Sequence, residues 1–240
     1  MRFRFFILLL SLSSLSQGQS RVSTYGYTID LTRVVNDRVF VELIVPPITN
    51  SEVIFYLPKM VPGTYAIEDF GRFVSDLKAL DKKGKEMEVE KTGTNSWKIK
   101  NASKLGKISY WIDDTFDTDR GEPRIFEPAG TNIEADANFL LNNGGVLGYF
   151  DGMKTIPFVV KVIRDKEMYG STGLIALQTG AVFKLNKEKV PDSNKLVDIY
   201  RTENYDQLVD SPIMYAKPDT AIIKVANTEV LIGSYSPHDK

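Results

Sequence analysis

Apolar and polar residues alternate along much of this chain, which is the period of a half-buried β-strand. Tyr25 to Leu31 (YGYTIDL) shows the pattern, and Arg38 to Val45 (RVFVELIV) shows it until its end turns fully apolar. Asn36-Asp37 between them suits a hairpin turn. Further strands are predicted over Glu52–Leu57, Glu86–Lys91, Ser96–Lys100, Lys107–Asp113 and Ile156–Ile163. Gly173–Thr179, Ala181–Leu185 and Lys195–Arg201 carry weaker versions, and Ala221–Val225 and Glu229–Tyr235 predict two strands near the end. A helical period is confined to Tyr205–Val209 and, more weakly, Ile67–Leu77. Many short strands broken by turn residues predict an all-β fold: an antiparallel β-sandwich with few or no helices, plus a short C-terminal β segment.

One stretch stands apart. Leu57–Val74 (LPKMVPGTYAIEDFGRFV) leaves a strand through Pro58, crosses a Pro62-Gly63 turn and then crowds aromatic and charged residues together. Glu68 and Asp69 are a carboxylate pair, but neighbours on a strand point to opposite faces and do not share a site. Asp69 and Arg72 would form an i, i+3 pair if the segment were a helical turn. Asp113, Asp114, Asp117 and Asp119 cluster acids without the central Gly and closing Glu of a calcium loop, so they read as a solvated acidic loop. Gly144, Gly145 and Gly148 lie in no βαβ context, so they read as turn residues, not as a phosphate cradle.

Composition narrows the chemistry. Arg2 and Arg4 precede the apolar run Phe5–Leu10, and Ser16-Gln17-Gly18 offers small residues, so residues 1–18 are expected to be a signal peptide cleaved near Gly18. The product is then exported, periplasmic or extracellular. The apolar run is shorter than the ~20 residues needed to span a bilayer, so no membrane insertion is expected. Loss of two arginines makes the formal charge two units more negative than −1, which argues against a nucleic-acid partner. With no Cys and one His, His238, the chain has no thiol nucleophile, Ser–His pair or zinc ligand set of its own. No catalytic residue and no metal ligand is assigned.

Several stretches together resemble the N-terminal region of the M61 family, the glycyl aminopeptidase-like metallopeptidases. The residues that carry this are Leu57-Pro58, Val61-Pro62-Gly63-Thr64-Tyr65, Glu68-Asp69-Phe70 with Arg72, Ala79-Leu80-Asp81 with Gly84, Trp97 and Ser109-Tyr110. Asn138-Phe139 through Gly144, Gly152, Pro157 and Tyr205–Pro212 complete the set. Glu68 stands where the family commonly has Arg, Gly71 where it has Ala, and Lys59-Met60 replaces a Trp-containing pair. The resemblance implies a β-sandwich domain over 19–208 and, over 209–240, the start of a truncated peptidase catalytic domain. That domain binds zinc through HExxH in the family. No HExxH occurs here, and no cofactor is expected in this chain.

The resemblance therefore implies a non-catalytic accessory domain that packs on a zinc aminopeptidase domain, if one is encoded downstream, and meets peptide substrate only in that context. Tyr65, Asp69, Arg72, Asn142 and Asn143 are the residues expected at its cleft or domain interface, with turn capping and internal bonding as their alternative role. A rival reading is a free-standing exported module that binds a peptide or glycan on Tyr110-Trp111 and Tyr149-Phe150. A third is an inactive remnant, marked by an exposed apolar edge on Ala221–Tyr235 together with aggregation on expression.

Overall fold

The computed structural model describes residues 23–118, 121, 123–183 and 192–236; the expected leader and His238 lie outside them. The first half carries strands β1 (Tyr25–Asp30), β2 (Arg38–Ile44), β3 (Glu52–Tyr56), β4 (Val74–Asp81) and β5 (Glu86–Met87). It continues through β6 (Val89–Gly93), β7 (Ser96–Lys100), β8 (Leu105–Asp113), β9 (Asn132–Glu134) and β10 (Asn138–Leu141). A single helical turn, α1 (Asn143–Val146), leads to β11 (Tyr149–Phe150), β12 (Phe158–Asp165), β13 (Tyr169–Thr172), β14 (Ile175–Phe183) and β15 (Asp192–Thr202). Helix α2 (Tyr205–Val209), β16 (Ile213–Ala216), β17 (Asp219–Val225) and β18 (Thr228–Ser234) follow.

These strands build the expected sandwich. One layer is an eight-stranded sheet in the order β14-β15-β12-β1-β2-β8-β4-β5. Facing it are two four-stranded sheets, β13-β16-β10-β9 and β11-β3-β7-β6. Alternation decides which residues meet between the layers: Tyr25, Tyr27 and Ile29 of β1, Val39, Val41 and Leu43 of β2, and Ile108, Tyr110 and Ile112 of β8 are all buried. The facing sheets bury Phe55, Trp97, Ile99, Phe139, Leu141, Ile213 and Tyr215. Phe55 meets Tyr110 across the layers at 5.9 Å between ring centres. Pairing is antiparallel except between β1 and β12, which run parallel with Tyr25 beside Phe158. β16 lies inside a sandwich sheet between β13 and β10, whereas β17 and β18 pair only with each other.

Between the layers runs the backbone of 142–148, which leads into β11 and is held by phenols. Tyr27 donates to the Gly148 carbonyl at 2.7 Å, Tyr110 to that of Val146 at 2.8 Å and Tyr205 to that of Leu147 at 2.9 Å. The Phe150 amide donates to the Tyr25 hydroxyl at 2.8 Å. Buried backbone polar groups that no strand pairs must be satisfied some other way, and here tyrosines do it. Gly148 has to be glycine, because a Cβ there would sit 2.5 Å from the Tyr56 carbonyl oxygen.

Three expectations change. The weak helical window Ile67–Leu77 is a 3₁₀ turn over Phe70–Phe73 followed directly by β4. Asp113 and Asp114 are buried, not solvated, and Asp114 accepts the amides of Phe116, Asp117 and Ile133. Tyr110 and Phe150 are core residues, so Tyr110-Trp111 and Tyr149-Phe150 form no common exposed platform.

Candidate functional site

The stretch from Leu57 to Val74 is a loop closed at its neck. The Lys59 carbonyl accepts the amides of both Glu68 and Asp69, at 2.7 and 2.8 Å. Within the loop, Thr64 caps the Val61 carbonyl through its hydroxyl at 3.1 Å, and Gly63 turns the chain at φ 91°. Tyr65 lies at positive φ with its side chain 95% exposed. Asp69 also takes the left-handed conformation, φ 52°, so Glu68 and Asp69 are not neighbours on a strand as expected; Glu68 is buried.

The neck is locked by Asn95, whose amide nitrogen donates to Asp69 Oδ1 at 2.6 Å while its Oδ1 accepts the Gly71 amide at 2.8 Å. Arg72 donates from Nε to the Glu68 carbonyl at 3.2 Å, from Nη1 to that of Gly121 at 2.7 Å, and from Nη2 to that of Pro123. Its guanidinium also lies over the Phe73 ring at 4.8 Å.

Asn142 and Asn143 precede and open α1. Asn142 donates to the carbonyls of Pro128, at 3.2 Å, and Gly130. Asn143 is fully buried and ties α1 to the far end of the domain, donating to the carbonyls of Leu208 at 3.1 Å and Ser211 at 2.6 Å. Of the five residues singled out from sequence, Asp69, Arg72, Asn142 and Asn143 thus bond to the chain around them, and Tyr65 faces solvent.

Beside this loop lies a cleft that sequence reading did not single out. The absence of a side chain at Gly144 lets Val61, Pro58 and Val209 close in behind it. Pro58, Met60, Val61 and Pro62 then form one wall, and Tyr205, Asp206, Val209 and Asp210 the other, around about 440 Å³. Lys154 stands at the rim and also lines the adjoining groove with Tyr56, Asp69, Asn95 and Tyr149. Its ammonium lies 4.3 Å from the Tyr149 ring centre and 5.5 Å from that of Tyr205. Burial pushes the Tyr205 phenol well above its ordinary range, which keeps it neutral and donating to Leu147. The signals available in the sequence were Lys154 just after the Asp151-Gly152 turn and the spacing of Asp206, inside the predicted helix, from Asp210 just past its end.

A family model described as the Peptidase M61 N-terminal domain matches residues 26–217. The chain belongs to that family. Solved structures similar to this M61 N-terminal domain include an aminopeptidase N family protein from Idiomarina loihiensis, at 18% identity and TM-score 0.68. The match covers 87% of this chain and 32% of that one, so the chain spans about a third of its length. An M1 zinc metallopeptidase from Deinococcus radiodurans matches at 12% identity and TM-score 0.45, over 88% of this chain and 46% of its own. No curated protein matches. Among the described residues no group of three or more His, Cys, Asp or Glu is placed to hold a metal. No described helix is long and apolar enough to cross a membrane.

Proposed function

We propose that this chain is a non-catalytic accessory domain of an M61-type zinc aminopeptidase, packing on the catalytic domain and helping to shape the cleft that receives the peptide. Family membership supports the accessory role, and the β17–β18 hairpin carries the packing. Its register sets Ala221 opposite Ile232 and Ile223 opposite Val230, and strand alternation puts Val225 on the same face. All five are exposed. A two-stranded ribbon is at best marginal alone, and an exposed apolar face of this kind marks a surface that is covered by a partner. The hairpin begins just past the residues that match the family model and lies within 209–240, the segment we read as the start of a catalytic domain.

The isolated chain is expected to hydrolyse no glycyl or alanyl substrate with Zn²⁺ present; turnover above blank would overturn the non-catalytic claim. Mixed with an M61-type catalytic domain, it should form a 1:1 complex in sedimentation, weakened by Ile223→Asp or Val230→Asp. No complex, or one indifferent to both substitutions, removes the docking role. Aggregation of the chain alone with no complex would favour an inactive remnant.

A further inference from the structure

We infer that the cleft between residues 58–62 and α2 binds a short zwitterionic peptide, about two or three residues long with both termini free. Its ≈ 440 Å³ falls within the usual range for small-ligand sites, about 300–1,000 Å³. Pro58, Met60, Val61, Pro62 and Val209 supply apolar contact for a side chain.

The charges choose the ligand class. Asp206 and Asp210 lie four residues apart across α2 and its C-terminal cap, which brings both to one side. Lys154 brings the opposite sign to the same cleft, and its ammonium is steadied over the Tyr149 and Tyr205 rings, which lie 4.6 Å apart. None of the three side chains forms an ion pair within the described residues. A ligand of one sign would leave the other unanswered. A peptide with a free α-ammonium for the two aspartates and a free carboxylate for Lys154 answers both. The site lies wholly on this chain, so the inference stands or falls independently of docking to a catalytic domain.

Calorimetry on the purified chain tests it, with alanyl-leucine as the probe beside its Nα-acetyl and C-amide derivatives. The free dipeptide should bind saturably at 1:1, and blocking either end should weaken binding about tenfold or more, the effect of losing one charged hydrogen bond. Lys154→Gln should weaken the free dipeptide but not its amide, and Asp210→Asn should weaken the free dipeptide more than its acetyl derivative. All three side chains are exposed, and unchanged melting temperatures will confirm that the variants fold. No binding, or equal binding of the blocked and free dipeptides, overturns the inference. The ligand series on the unaltered chain decides this even if a variant misfolds.

Discussion

The phenol oxygen of Tyr27 lies 2.7 Å from the Gly148 carbonyl oxygen, joining the first strand to a segment 121 residues later. Without the hydroxyl, that buried carbonyl has no donor. Tyr27→Phe is expected to cost about 1–3 kcal/mol, the price of leaving one buried acceptor unmade. Urea denaturation should show a lower midpoint with an unchanged slope.

A second node joins the layers elsewhere. Arg164 and Asp198 are a buried pair, with Nε 2.6 Å from Oδ2, and Asp198 also accepts from Tyr215 at 2.8 Å and from the Gly180 amide at 2.7 Å. Removing only Arg164 strands a buried carboxylate. Arg164→Met should cost about 3–5 kcal/mol, and Arg164→Met with Asp198→Asn less than the sum of the two single changes.

Alkaline pH provides a third test. Burial raises the Tyr200 phenol to about 12, and burial likewise pushes Tyr27, Tyr205 and Tyr215 well above the ordinary range. A raised phenol leaves the folded chain holding a proton that the unfolded chain releases. The stability from these groups is therefore complete below about pH 10 and falls as pH rises towards 12, by about 1.4 kcal/mol per pH unit for each tyrosine. The tyrosinate absorbance of these buried phenols should appear in one cooperative step with loss of far-ultraviolet strand signal. Independent titration of these tyrosines near pH 10 in a folded chain would contradict the burial.

Gly71 is a fourth. A Cβ at this position would sit 2.7 Å from the Asn95 Cα and closer still to the Thr94 carbonyl oxygen. Both obstacles are backbone. Gly71→Ala should destabilise by roughly 1–3 kcal/mol, the scale of an overpacked core, and loosen the neck that Asn95 locks. A neutral or stabilising effect in thermal melting would show that the neck yields.

Strands were legible because alternation is a local property. β1, β2 and β8 fall within a residue or two of where YGYTIDL, RVFVELIV and KISYWID place them, and α2 matches its predicted window. Residues fixed by distant backbone were not legible. Asn143 is buried because its amide meets carbonyls at 208 and 211, and Asp114 because its carboxylate collects the amide of Ile133. No period in the sequence records such partners. The cleft was missed for the same reason: Pro58, Lys154 and Asp210 meet only after Gly144 lets the walls approach.

The parallel pairing of β1 with β12 has a consequence for synthesis. The first strand cannot take its place until Phe158–Asp165 has been made, so Tyr25, Tyr27 and Ile29 wait uncovered on their β12 side through most of the domain. Long-range parallel pairing is intrinsically slow and leaves the nascent chain open to aggregation. A chain-release series should show protease resistance of β1 arriving abruptly once β12 is free to pair, rather than growing strand by strand.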